Sequence, residues 1–311
     1  MKKRSVLKLG VTSSVLVIAL AGCSLSATTK DEYAQAYDEL NKVDTLETSN
    51  VLSFNVEGEI GLSDFDEILA NIDSTKISFN TVSDSVKQQT EVDLKVTLNE
   101  DVASKTLNPK LVIDEKTSAI YIPESDFEDF SLGIPDTSDP DNGTDTILVE
   151  TKDIMYAGLL QSFISQFEEL GVNELLTEDN FTKQDNVITI KIPSDVLQKA
   201  LDKSLKDKKS MFADEYNLSS DEADTYINGL QEFIYLEDGV IKATIDSRKI
   251  QKQTIEIPFI YDNGQEKVSF VLNLNTEVKG FNKKVDFSYD LDKVDTESYE
   301  EFFNKFYLTN D

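Results

Sequence analysis

The chain has 311 residues, 59 of them acidic and 30 basic, for a formal charge of −29, with one cysteine and neither histidine nor tryptophan. These counts exclude an intrachain disulfide, a cysteine cluster for zinc or iron–sulfur, histidine-bound metal or haem, and the Ser–His and Cys–His nucleophile pairs. A balance this acidic opposes a nucleic-acid partner, because a protein that binds one must offer basic groups to displace its counterions.

The first element is an export signal. Lys2, Lys3, Arg4 and Lys8 precede a mostly apolar run from Val11 to Leu20 that is too short to span a bilayer. The run ends in Leu20-Ala21-Gly22-Cys23, which resembles the lipobox of bacterial lipoproteins. That resemblance implies cleavage between Gly22 and Cys23 and lipidation (a diacylglyceryl group, with palmitate-type chains) on the Cys23 thiol. It divides the chain into a signal peptide at 1–22, a lipidated short tether at 23–29 and a body at 30–311. It also places the body on the extracytoplasmic face of the bacterial cell membrane, lipid-anchored. Removing the signal takes away four bases and no acids, so the charge falls to −33 and Arg248 is the one arginine left. Anionic lipid should repel such a body and hold it off on its tether.

A helix is predicted over Lys30–Val43, with Thr29 and Glu32 at capping-box spacing and Tyr33, Ala36, Tyr37, Leu40 and Val43 on one face. The period then changes to two. Leu52, Phe54, Val56, Ile60 and Leu62 share one parity, with Gly58 in the gap, and predict a strand with one wet face. Residues 63–72 predict a short helix or long turn, and Ile77 and Phe79 a strand. Val92, Leu94, Val96 and Leu98 alternate as another, and residues 111–113 and 119–122 flank a hairpin turn at Asp114-Glu115-Lys116-Thr117.

Residues 124–146 hold eight acids, no base, two prolines and two glycines, and predict a long loop, where the body divides if it has two subdomains. Asp136, Asp139, Asp141 and Asn142 precede Gly143, but the order of ligands does not fit an EF-hand, and a solvated loop is predicted. Phe127, Phe130, Leu132 and Ile134 would pin it to the core. Ile154–Leu176 predicts a helix apolar on more than one face, so that Met155, Leu159, Phe163 and Phe167 either line a cavity or pack as plain core. Val187–Ile192 predicts a strand, and Ser194 the cap of a helix carrying Val196, Leu197, Ala200, Leu201 and Leu205. Lys206, Lys208 and Lys209 suit that helix's negative end. Ser219 and Glu222 form a capping box before Ala223, Tyr226, Ile227, Leu230, Phe233 and Ile234.

The last third predicts a four-strand meander: Ile241–Ile245, Ile255–Phe259, Val268–Leu274 and Val285–Leu291, with a type I′ turn at Asn263-Gly264. A short helix over Tyr299–Phe306 closes it. The fold class is therefore α+β: a curved, mainly antiparallel, half-barrel-like sheet with amphipathic helices on its concave face.

The lipobox, the early amphipathic helix, the one-sided sheet and the turn segments at 114–121 and 245–252 together resemble Gram-positive surface lipoproteins. The body of those proteins is similar to the Lol periplasmic lipoprotein carrier and the mycobacterial lipid-carrying lipoproteins. The resemblance implies an apolar cavity for acyl chains between sheet and helices. The expected function is a noncatalytic, membrane-anchored surface lipoprotein that binds an apolar or amphipathic ligand. The alternatives are a structural or interaction lipoprotein whose acidic surface contacts envelope components, and a transporter solute-binding subunit. No catalytic set, metal site or cofactor is predicted, and the partners are the membrane, through the N-terminal lipid, and an apolar or lipid ligand.

Overall fold

Alternating apolar residues on long β-branched runs can be covered only by pairing strands into a sheet and burying one side. The computed structural model shows how this chain does so. It describes residues 28–58, 76–97, 106–117, 119–123, 146–150, 176–207, 209–210, 213, 218–287, 291 and 296–298. Its elements are α1 (Thr29–Asn41), β1 (Thr45–Glu57), β2 (Lys76–Asp84), β3 (Gln89–Thr97), β4 (Thr106–Leu107), β5 (Lys110–Asp114), β6 (Ala119–Pro123), β7 (Thr146–Glu150), β8 (Phe181–Gln184), β9 (Val187–Ile192), α2 (Ser194–Asp207), α3 (Ser220–Phe233), β10 (Ile234–Leu236), β11 (Gly239–Asp246), β12 (Lys249–Asp262), β13 (Lys267–Phe281) and β14 (Thr296–Ser298).

The strands form one open, curved sheet in the order β14-β7-β6-β5-β3-β2-β1-β13-β12-β11-β9-β8, with β10 beside β12 and β4 beside β3. Every pair is antiparallel except β14 with β7. The α+β class and the mainly antiparallel sheet hold. A solute-binding subunit built from parallel βαβ units does not match this topology.

The meander is three strands, β11, β12 and β13, and not four. Both edges of β13 are already taken, by β12 on one side and by β1 on the other. A strand at 285–291 has no free slot there. Residues 283–287 accordingly have no strand pairing, after a left-handed Asn282 (φ 55°) turns the chain out of the sheet. Asn282 then ties back to the start of β1: its N–H donates to the Thr45 carbonyl, and its Oδ1 accepts from Asp44 N–H.

Other boundaries move for local reasons. The first helix is capped by Thr28, not Thr29: Thr28 Oγ1 accepts from Asp31 N–H and the Asp31 carboxylate accepts from Thr28 N–H. Its buried face is Tyr33, Ala34, Ala36, Tyr37 and Leu40. β1 begins at Thr45, ahead of its apolar run, and ends at Glu57. Gly58 follows with φ +115°, where a side-chain carbon would lie 2.5 Å from the Lys267 carbonyl. Ser194 is the first residue of α2 and not its cap. The Pro193 carbonyl accepts from Val196 and Leu197 N–H, and Ser194 N–H donates to Asp238 Oδ1. The Ser219–Glu222 box holds, but Ile234 leaves α3 for β10, and Tyr226 and Phe233 are exposed. The proposed elements at 59–72, 124–145, 154–175 and 299–306 lie outside the described residues.

The largest buried cluster among the described residues lies between the helices and one face of the sheet. Tyr33, Tyr37 and Leu40 of α1 and Val196, Leu197 and Ala200 of α2 pack on Ile188, Ile190 and Ile192 of β9, Ile241 and Ala243 of β11, and Ile250, Ile255 and Ile257 of β12. Helix α3 sits on α2 through Ile227 and Leu205. A bulge at Gln251 keeps β12 in phase: Ile245 pairs with Ile250 but Thr244 with Lys252, so Ile250 and Gln253 both face the helices.

The type I′ turn is at Ser247-Arg248, not at Asn263-Gly264. Ser247 (φ 50°) and Arg248 (φ 63°) fill the two-residue connection between Asp246 and Lys249. At the other hairpin four residues separate the paired Asp262 and Lys267. Asn263 Oδ1 accepts from Gln265 and Glu266 N–H, so the side chain closes the loop and only Gly264 is left-handed. Replacing Ser247 and Arg248 by Asn and Gly is expected to raise stability by about 1 kcal/mol, because both residues then tolerate the left-handed region. A higher urea midpoint at unchanged slope confirms it; a lower midpoint refutes it.

Candidate functional site

The residues predicted from sequence as sites, Leu20, Ala21, Gly22 and Cys23 of the lipobox and Met155, Leu159, Phe163 and Phe167 of the cavity helix, lie outside the described residues. The structure places a different set together, on the helix-facing side of the sheet.

Strand register builds this surface in rows. One row crosses Phe181, Ile190, Ile241, Ile255, Leu274, Leu52 and Ile77. The next rows towards the β12–β13 hairpin pair Ile257 with Leu272 and Phe54, then Leu236 with Phe259, Phe270 and Val56. On the β8–β12 side, α1 and α2 cover the rows and Ile190, Ile241 and Ile255 are fully buried. On the β13–β1–β2 side, Leu272, Phe270, Phe54, Leu52 and Ile77 are only half-buried. The apolar face is thus continuous but unevenly covered.

Below this strip runs a belt of buried polar side chains that the apolar pattern passes over. Gln253 donates through Nε2 to the Tyr33 hydroxyl (3.1 Å). On the neighbouring strand, Thr276 Oγ1 donates to Asn50 Oδ1 (2.8 Å), and Asn50 Nδ2 donates to Thr48 Oγ1 (2.8 Å) and to the Phe79 carbonyl. Thr48 and Thr81 hydroxyls bond at 2.7 Å, and one row further Thr90 Oγ1 donates to Ser83 Oγ at 2.9 Å. Each of these buried side chains makes at least one hydrogen bond, although the Gln253 Oε1 atom is buried without one. Their signal was parity: Leu46, Thr48, Asn50, Leu52, Phe54 and Val56 form one alternating series, and the polar members belong to the same face as the apolar ones.

Two titratable groups mark the belt's ends. Burial drives the Tyr33 phenol well above the usual tyrosine range, with Tyr37 adding to the effect and the Gln253 hydrogen bond opposing it. Glu115, half-buried beside Thr90, is also raised, first by burial, with the Thr90 hydroxyl pulling the other way and the Asp114 charge adding. Neither stands in a carboxylate pair across a cleft. Among the described residues no group of three or more His, Cys, Asp or Glu side chains could hold a metal ion, and no helix is long and apolar enough to cross a membrane.

The short β10 has its edge closed by a side chain. Gln198 of α2 accepts from Leu236 N–H and donates to the Ile234 carbonyl, taking the place of a neighbouring strand. This holds α2 against β10 beside the sheet.

No protein-family model matches the sequence. No curated protein matches it. Among solved structures the chain is similar to lipovitellin, a structure of lipid–protein interactions, at a TM-score of 0.30 and 8% identity. The match covers 80% of this chain but 26% of lipovitellin, so the chain spans about a quarter of that chain's length. It is also similar to the bifunctional dehydratase-cyclase domain of ambruticin biosynthesis, at a TM-score of 0.12 and 10% identity over 82% of this chain and 83% of that one. Likenesses of this size bear on neither ligand nor activity.

Proposed function

We propose that this protein is a noncatalytic lipoprotein, anchored through Cys23 to the extracytoplasmic face of the membrane, that binds an apolar or amphipathic ligand on the helix-facing side of its sheet. The observation that supports the reading is the uneven cover of that face. Leu52, Phe54, Ile77, Phe270 and Leu272 stay half-buried beside a core that is otherwise dry. An apolar strip gains about 25 cal/mol for each Å² it removes from water, so an acyl chain laid along it binds for the same reason that the helices pack beside it. The lipobox, Leu20-Ala21-Gly22-Cys23, supports the anchor. The ligand sits on apolar side chains and no reacting group is needed.

Organic extraction of the purified mature protein, followed by mass spectrometry, is expected to return an amphipathic lipid in near-stoichiometric amount. Phe54→Gln and Leu272→Gln are each expected to reduce the yield several-fold while the circular dichroism stays native, since each places an amide against the chain it would contact. An extract with no lipid from the folded wild-type protein refutes the reading and favours contact of the acidic surface with envelope components.

A further inference from the structure

The face of the sheet turned away from the helices has its own chemistry. Its residues are the other parity of the same strands, and register sets them in rows. One row runs Thr254, Asn275, Val51 and Ser78 across β12, β13, β1 and β2. Towards the β12–β13 hairpin, Asn273 then stands beside Ser53, and Val271 beside Asn55. Asn55 and Asn275 are exposed and the others half-buried, as side chains on an open sheet face are. These side chains are amides, hydroxyls and two valines, with no charge among them. The charges of this face stand around them, where Lys252 pairs with Glu277 and Lys242 with Glu256. Thr254 Oγ1 donates to Asn275 Oδ1 at 2.9 Å, and Asn273 Nδ2 donates to Asn55 Oδ1 and to the Val271 carbonyl at 3.3 and 3.2 Å. An amide offers two donor hydrogens and two acceptor lone pairs, so bonding capacity remains for a ligand.

We propose that this face binds an extended, neutral glycan of the cell envelope, a ribbon of β-1,4-linked N-acetylhexosamine laid across β12, β13, β1 and β2. The site is on the opposite side of the sheet from the apolar strip and stands independently of the lipid reading. Charge, hydration and shape select this partner. A chain with 59 acids against 30 bases repels polyphosphates, polyuronates and nucleic acid, but not an uncharged polymer. Stacking a second copy on this face would strip water from amides and hydroxyls and leave many of them without a partner. A polyol returns a hydroxyl or an amide to each, directly or through water. The strands repeat about every 4.8 Å across the face, and like-facing residues about every 6.8 Å along it. A sugar ring is of similar size, so successive rings of an extended ribbon meet successive amides, whereas a coiled α-linked chain touches the face at fewer points. Val51 and Val271 offer apolar contact to acetamido methyls and ring C–H groups. None of the side chains named here is aromatic, so the affinity of each ring is low, and contacts repeated along a polymer supply the retention.

Full-length protein, processed in cells and held in a polyoxyethylene detergent that carries no sugar, tests the proposal by calorimetric titration with chitohexaose. A Kd of about 0.1–1 mM is expected. It should stay constant between about 50 and 500 mM salt, since no charge takes part in the contact. Asn273→Ala with Asn275→Ala is expected to weaken binding about fivefold or more with native circular dichroism, because both residues lie on the solvent side of the sheet. Asn275→Lys, at an exposed position, should do the same by standing in the path of the ribbon. Lys191→Ala, exposed on the same face at β9 and outside the patch, should leave the affinity unchanged. Maltohexaose, a coiled chain of as many rings, is expected to bind about tenfold more weakly or less. An absence of heat up to about 5 mM chitohexaose overturns the proposal, as does an equal loss for the Lys191 and asparagine variants. A dimer in sedimentation that Asn275→Lys dissociates assigns the face to a second copy of the chain and overturns it too.

Discussion

Asn50→Ala is expected to destabilise the fold by about 3 kcal/mol, because it strands several buried groups at once. The Asn50 amide is fully buried between β13 and β2. It accepts from Thr276 and donates to Thr48 and to the Phe79 carbonyl. Removing it takes the acceptor from the buried Thr276 hydroxyl and a donor from Thr48 and the Phe79 carbonyl, leaves Thr48 with Thr81 alone, and opens a small void. Substituting the belt as a unit has a different expected result. Asn50→Leu with Thr276→Val and Thr48→Val replaces donors and acceptors together, and should recover most of the loss. The Thr81 hydroxyl then keeps its own option of turning to a backbone carbonyl. Urea unfolding of the three proteins measures both effects. A loss below about 1 kcal/mol for Asn50→Ala would show that water enters the belt and that the sheet face is open at this point.

The second large effect is at Tyr33, which joins α1 to the belt. Its ring is fully buried, tilted against Phe181 with centroids 6.3 Å apart, and its hydroxyl accepts from Gln253. Tyr33→Ala should cost about 4 kcal/mol, as large aromatic truncations in a packed core do. The phenol also sets an alkaline limit. In the unfolded chain it ionises near its ordinary value of 10.0, whereas in the fold burial holds its proton to a much higher pH. The unfolded state therefore releases a proton that the folded state keeps. Stability from this residue is complete below about pH 10 and falls by up to about 1.4 kcal/mol per pH unit above it. Tyr33→Phe should flatten that limb relative to the wild type, at the cost of the Gln253 hydrogen bond. Urea midpoints at pH 8, 10 and 11 decide the matter, and parallel pH profiles for the two proteins would show that Tyr33 ionises freely in the fold.

Much of this architecture was legible in the chain, and the misses share a cause. The strand at Val187–Ile192 and the capping box at Ser219 were readable because period and capping act within a few residues. The polar half of β1 was missed because Thr48 and Asn50 carry no apolar signal. They face inward only because Thr276 and Thr81, distant in sequence, supply their hydrogen bonds. The Asn263-Gly264 dipeptide marked the right hairpin and the wrong turn, since the paired residues on either side set the loop length and not the dipeptide.

By itself the sequence determined the class of the protein: one-sided strands that must pair, amphipathic helices that must cover them, no histidine, and a single cysteine within a lipobox-like string. These follow from local periodicity and from composition, which need no knowledge of what lies opposite. Tertiary structure alone decided that β1 fills the slot beside β13, and so that the predicted fourth strand of the meander has no place. It also decided which polar residues are dry, and that the first turn of α1 is clamped to Glu178 just before β8. Each of these depends on which strand edge is already taken, and edge occupancy is set by residues some two hundred positions apart, as Leu52 and Leu274 are.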